Sequence, residues 1–246
     1  MPLKYLIVNA DDFGFTRDVN EGIVHAHRNG ILTATTLMAT GPAFEHAVSL
    51  ARDNPELDVG VHLVLVGSAG FPPTVPRLVA SVALGQIKIY DQLARQVERI
   101  LKAGIRPTHL DTHKHTHLLP PVLNAVARIS GDFRIPWVRK PLHVPVPLAD
   151  RWLDRKLSGC RTTDYFAGFE MTGRYDAAQL AALIRGLPDG VTEFMCHPGF
   201  CTAELQAART RLKDSRQREV DALTSPEARA AIQESHVTLG RYRELA

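Results

Sequence analysis

The stretch Tyr5-Leu6-Ile7-Val8-Asn9-Ala10-Asp11-Asp12-Phe13-Gly14, followed by Asp18 to Asn29, Gly30 and Leu32 to Met38, decides the fold. Tyr5 to Asn9 is an apolar run that turns polar at its end, the pattern of a buried strand. Asp18 to Asn29 places Val19, Ile23 and Ala26 on one helical face, with Gly30 where a C-cap glycine would sit. Leu32 to Met38 is rich in β-branched residues and predicts a second strand. Strand, helix and strand in such short succession is the unit from which parallel sheets are built.

The alternation continues outward. Pro42 to Arg52 predicts a helix, with Pro55 beyond its end, and Val59 to Val66 a third strand. An irregular stretch follows with Pro72, Pro73 and Pro76. Asp91 to Ala103 predicts a helix closed by Gly104, Thr108 to Asp111 a short strand, Pro121 to Ile129 a helix, and Pro136 to Arg139 a fifth strand. Residues 140–172 show no clean periodicity and are expected to shape a pocket. Ala177 to Arg185 predicts a helix and Val191 to Cys196 a strand. The remainder is mainly helical, with a short strand near His236 to Leu239. The pattern is α/β with a parallel sheet, and on these residues alone it is either an open doubly wound sheet or a closed barrel. No linker or fixed-period repeat interrupts it, so residues 1–246 are expected to form a single domain.

Composition narrows the function. Hydrophobic residues are 45% and charged residues 22%, as in an ordinary soluble globular protein. The formal net charge is only +3, and the one basic cluster, Arg209 to Arg218, also contains Asp214, so nucleic acid is not an expected partner. The three cysteines, Cys160, Cys196 and Cys201, form no CxxC pair, which points to a reducing cytoplasm. The apolar run before Asn9 is too short for a signal peptide, and no stretch approaches the roughly 20 apolar residues of a membrane span.

Four features could carry chemistry. Asp11 and Asp12 stand where the first strand ends, and in parallel α/β proteins sites gather at the C-terminal ends of strands. Adjacent carboxylates repel, and a metal bound by one with the other as a base would relieve that cost, although a capping turn would also use them. His62 interrupts an apolar strand. His109, Asp111, His113, His115 and His117 alternate. A continuous strand would spread them over ~26 Å, so one ion reaches at most one or two, and strand, then loop, then helix is the expected path. His115 and His117, with Arg139 at the end of the fifth strand, are candidates for substrate contact. Finally, Glu193-Phe194-Met195-Cys196-His197-Pro198-Gly199 ends a strand in a histidine, while Cys196 should face the core. Separate strand ends thus supply Asp, His and His, a facial metal site with room for water and substrate.

With these features in view, the sequence resembles the YdjC family of sugar deacetylases over nearly its whole length. The resemblance rests on Asn9 to Gly14, Thr35-Thr36, Gly41 to Ala51, Gly60 to Leu63, Pro107 to His117, Glu193 to Gly199 and the closing Leu239-Gly240-Arg241-Tyr242-Arg243. It implies a distorted, TIM-like (β/α) barrel of the glycoside hydrolase/deacetylase type. It also implies one divalent metal ion, zinc or magnesium with manganese or cobalt as alternatives, held by Asp12, His62 and His113. By motif position Asp11 falls on the catalytic base and His197 on the histidine of a His-Pro motif. The implied substrate is an N-acetylated amino sugar in an oligosaccharide or a glycolipid. Val64-Leu65-Val66 is similar to the glycolipid branch and Asp111 to the oligosaccharide branch, so the substrate stays open, as does assembly into a homodimer. Two other readings stand beside this one: a metal-dependent hydrolase of a phosphate or other acyl ester, and a non-catalytic carbohydrate-binding barrel.

Overall fold

The computed structural model describes residues 3–140 and 147–245. In chain order its elements are β1 (Lys4–Phe13), α1 (Arg17–Asn29), β2 (Ala34–Leu37), α2 (Phe44–Asp53), β3 (Asp58–Leu63), α3 (Val75–Ala83), α4 (Ile89–Lys102) and β4 (His109–Thr112). A 3-10 segment, His113–Leu118, leads into α5 (Pro120–Phe133) and β5 (Trp137–Val138). Then come α6 (Pro147–Lys156), β6 (Tyr165–Ala167), α7 (Ala177–Arg185), β7 (Gly190–Cys196), α8 (Ala203–Ala207), α9 (Asp214–Thr224), α10 (Pro226–Glu234), β8 (Val237–Leu239) and a closing 3-10 turn, Tyr242–Glu244.

All strand pairings are parallel, in the order β5-β4-β3-β2-β1-β7-β6, with β8 sharing the β2 edge of β1. The sheet is curled. At about 4.8 Å per strand, β5 and β7 would lie more than 20 Å apart in a flat sheet. Yet Arg139, just after β5, bonds Glu193 on β7 at 2.7 Å. A parallel bridge between Trp137 and Arg161 extends pairing beyond β5. The fold is the distorted (β/α) barrel that the resemblance implied.

Alternation along the strands separates two apolar regions. On β1, Leu6, Val8 and Ala10 face the large core under the helices, while Ile7 joins Ala34, Trp137 and Tyr242 in a small cluster. Tyr242 comes from the closing turn, and its ring stacks on His109 with centroids 4.0 Å apart. The family-like Leu239 to Arg243 segment therefore plugs the sheet's concave side.

Several local expectations need correction. β1 runs on to Phe13, so Asp11 and Asp12 lie within a strand and not after it. α3 was hidden by Pro72, Pro73 and Pro76, which read as loop punctuation; Pro76 in fact sits in its first turn, and of its residues only Leu78 is buried. β3 stops at Leu63. Val64 to Val66 continue as a buried loop, whose Val64 N–H and C=O are bonded by the Gln96 side chain at 2.8 and 2.7 Å. Gly30 is extended, at φ −141°, and is not a left-handed cap. It is needed for space, because a Cβ there would lie 2.4 Å from the Leu223 carbonyl oxygen of α9. Of residues 140–172, positions 141–146 lie outside the described residues, and the rest supply α6 and β6.

Gly22, in the middle of α1, tests the packing. A Cβ there would lie 2.4 Å from Gly199 Cα, a backbone atom. Alanine is the better helix former by about 1 kcal/mol, but the overlap should dominate, with a net loss of about 1–3 kcal/mol in urea or thermal unfolding of Gly22→Ala. A gain in stability would contradict the close approach of α1 to the loop after β7.

Candidate active site

The strand ends of β1, β3, β4, β5 and β7 converge on one cup. Neighbouring residues in a regular strand face opposite sides, so Asp11 and Asp12 should diverge. They do not, because β1 shifts register between Ala10 and Phe13 and Asp12 takes a left-handed conformation, φ 69°. Aspartate tolerates that region better than most residues. The bulge turns both carboxylates inward. Asn20 fastens the next turn, accepting from the Gly14 N–H at 2.6 Å and donating to the Ala43 carbonyl at 3.1 Å.

Three of the expected residues form a compact donor set. Asp12 Oδ1 lies 3.4 Å from His62 Nε2 and 3.2 Å from His113 Nδ1, and the two imidazole nitrogens are 3.2 Å apart. Donors about 2.0–2.1 Å from one ion in a tetrahedral or facial arrangement are separated by about 3.0–3.4 Å. Asp12 Oδ1 is buried and accepts no well-formed hydrogen bond. An under-bonded buried carboxylate oxygen beside two imidazoles fits a cation, so this group could hold a metal ion. Its other oxygen, Oδ2, is taken at 2.5 Å by Arg216 of α9. Burial pushes the Asp12 carboxyl up, but Arg216 and the two histidines outweigh it and hold it well below the usual range.

Behind this set lies a charge network. Asp111 pairs in register with His62 across β3 and β4 and bonds its Nδ1 at 2.7 Å. Thr36 of β2 donates to Asp111 at 3.0 Å. Fixing the proton on Nδ1 leaves His62 Nε2 facing the cup. Burial lowers His62, yet Asp111 prevails and raises it to about 10. Arg139 sits at the centre. It forms a two-pronged pair with Asp11 at 2.7 and 2.9 Å, and reaches Asp111 at 2.8 Å and Glu193 at 2.7 Å. Burial raises the Asp11 carboxyl, but the guanidinium wins and holds it far below its ordinary range. Asp11, His62 and Asp111 also cluster, but both of those carboxylates are committed to Arg139.

The remaining expectations divide. His197 is half-buried, with Nε2 3.9 Å from Asp11 Oδ2; burial lowers its pKa against the pull of Asp11. His115 is also left-handed, φ 49°, and packs edge-on against Phe166 and Phe169. His117 is buried, its Nδ1 bonded to Thr112, its Nε2 unpartnered. Arg139 does not fit direct substrate contact: it is 2% exposed and every guanidinium nitrogen is bonded to a carboxylate. Cys196 is buried in the core as expected, its thiol 3.4 Å from the Asn9 carbonyl oxygen.

Two residues of α9 escaped the sequence reading. Besides Arg216, Glu219 accepts from the His197 N–H at 2.5 Å, the Gly173 N–H at 3.0 Å and the Tyr175 hydroxyl at 3.1 Å. Both sit beside a run of exposed charges and read as solvated. The available signal was their spacing, one turn apart on the face that also carries Val220 and Leu223.

Comparison with known proteins places the chain in a family. The model of the YdjC-like protein family matches residues 5–234. The chain is 37% identical to a carbohydrate deacetylase of Geobacillus stearothermophilus, over 98% of each chain. It is 32% identical to a chitooligosaccharide deacetylase of Serratia marcescens, over 98% of this chain and 99% of that one. A crystal structure from Enterococcus faecalis V583, of a protein assigned to cellobiose-phosphate cleavage, superposes with a TM-score of 0.85 at 30% identity, over 99% of both chains.

Arg139 is the residue whose removal should cost most. Arg139→Gln leaves Asp11, Asp111 and Glu193 buried without their counter-charge, and an expected loss of about 3–5 kcal/mol should appear in denaturant unfolding at neutral pH. The depressed Asp11 carboxyl contributes stability that is present above about pH 4 and is lost as pH falls through the acid range below it. In Arg139→Gln this acid-side loss should shrink. A variant as stable as the parent, with an unchanged acid profile, would contradict the network.

Proposed function

Because the chain belongs to the YdjC-like family, we propose that it is a metal-dependent hydrolase, one catalytic domain over residues 1–246, that removes the acetyl group from an N-acetylated amino sugar. The observation that carries the reading is the Asp12, His62 and His113 donor triangle placed beside an ionised, arginine-paired carboxylate. Asp12 Oδ1, His62 Nε2 and His113 Nδ1 would hold the ion. Mixed nitrogen and oxygen donors suit zinc, cobalt or manganese and admit magnesium. A divalent ion there supplies Lewis acidity, polarising the acetamide carbonyl and making water a better acid.

The chain's own residues then divide the proton transfers. Asp11 accepts the proton of the attacking water as the new C–O bond forms. Arg139 keeps this carboxylate charged and makes it a weak base that readily gives the proton up. His197, with Nε2 3.9 Å away, passes a proton to the departing nitrogen as the C–N bond breaks. Acetate and a free amino sugar result. Burial keeps His197 neutral at rest, ready to take the proton first and then donate it.

The substrate is an N-acetylglucosamine oligomer or a glycolipid carrying that sugar. The two sequence features that pull toward different branches are internal: Val64, Leu65 and Val66 are buried apolar residues, and Asp111 is spent on His62, Thr36 and Arg139. The cytoplasm fits three free cysteines, and no helix among the described residues is long and apolar enough to cross a membrane. The Enterococcus relative's assignment favours a second reading, a phosphorylated-sugar hydrolase. Against it, Arg139 is unavailable to cradle a phosphate.

Acetate release from N-acetylglucosamine oligomers should require added zinc or magnesium after chelation. Asp11→Asn should retain stoichiometric metal and lose activity by about 10²-fold or more, whereas His113→Ala should lose both. Full turnover in Asp11→Asn would overturn the base assignment. Release of phosphate from a phosphorylated sugar, with no acetate from the oligomers, would favour the second reading.

A further inference from the structure

We propose that Phe169 is the platform on which the substrate's sugar ring stacks, so that it sets affinity for the sugar while the cup performs the chemistry; this rests on the deacetylase reading above. Phe169 is 44% exposed, and it and Tyr165 are the only exposed aromatic residues among the described ones. Part of the ring packs on His115, and the exposed remainder is free to receive a flat apolar partner.

The turn that carries it is fixed. Gly168 has φ +99°, and a Cβ there would lie 2.2 Å from the Met195 carbonyl oxygen, so the turn is pressed onto β7 two residues before His197. Thr172 Oγ1 donates to the Gly168 and Phe169 carbonyls at 3.2 and 2.9 Å and closes the turn. On the other side, the Phe169 ring meets the His115 ring edge-on, with centroids 4.9 Å apart. His115 can be there because Lys114 and His115 both take left-handed backbone immediately after His113. Phe166 fills the gap behind, in edge contact with His115 and 5.3 Å from the Arg139 guanidinium. The exposed ring is thus tied by short links to His113, to His197 and to the Arg139–Asp11 pair.

A polar cup beside one rigid, exposed aromatic face suits a pyranose. Its axial C–H groups form an apolar face for the ring, while its hydroxyls and acetamide extend toward polar partners. A phosphate or a small acyl ester without a ring would gain nothing from Phe169.

Kinetics of acetate release from N-acetylglucosamine oligomers by the metal-loaded enzyme test this. Phe169→Ala should raise KM roughly tenfold with kcat within about twofold, and Phe169→Trp should restore the parent KM. If Phe169 only supported His115, kcat would fall and tryptophan would not rescue it. An unmoved KM, or a loss confined to kcat, overturns the proposal. If the parent enzyme releases no acetate from any N-acetyl sugar, the deacetylase reading fails separately. The platform is then decided by fluorescence of Phe169→Trp titrated with N-acetylglucosamine oligomers, relative to the parent's own Trp137 and Trp152. A saturable blue shift absent from the parent supports it, and no change overturns it.

Discussion

A guanidinium surrounded by three carboxylates inside the barrel is the constraint from which the rest of the structure follows. Arg139 stands at the end of a two-residue strand, and its bonds run to β1, β4 and β7. Charges this deep cost several kcal/mol each to desolvate and are tolerated only when mutually satisfied. The sheet must therefore curl until β5 reaches Glu193, and that curl makes a cup from the strand ends. Asp11 stays ionised and Asp111 is left to orient His62, so curvature and chemistry depend on the same side chain.

The second feature is the bulge at Asp12. A left-handed aspartate within a strand stores local strain, which the surroundings must offset. Here Arg216 bonds one carboxylate oxygen from α9, and Asn20 fastens the following turn. Glu219, one turn along from Arg216, holds the His197 backbone. One helix far along the chain thereby positions groups on two strands, and the polar face it buries is used for that purpose.

The strand–helix alternation was legible because each element repeats a simple period. Asp11, Asp12, His62 and His197 were legible as ionisable residues at or near the ends of apolar strands, whereas His113 was singled out from the alternating histidines only by the family resemblance. What escaped has physical reasons. α3 buries only Leu78, so its periodicity carries little signal, and its prolines mimic a loop. The shared orientation of Asp11 and Asp12 depends on a backbone bulge that alternation argues against. Arg139 read as a substrate contact because an arginine at a strand end is usually exposed; its burial is decided by Asp11, Asp111 and Glu193, which are distant in sequence. Arg216 and Glu219 were masked by exposed charged neighbours on α9.

The plug formed by Tyr242 bears on the order of assembly. β8 pairs with the first residues of β1, and Tyr242 fills the space against Ile7 and Trp137. The first strand therefore waits for the last. During synthesis the N-terminal strand–helix units can form early, but their concave side stays open until residues 237–244 have left the ribosome. The concave side closes only after translation has passed those residues, and the nascent chain exposes the apolar patch of Ile7, Ala34 and Trp137 in the interval.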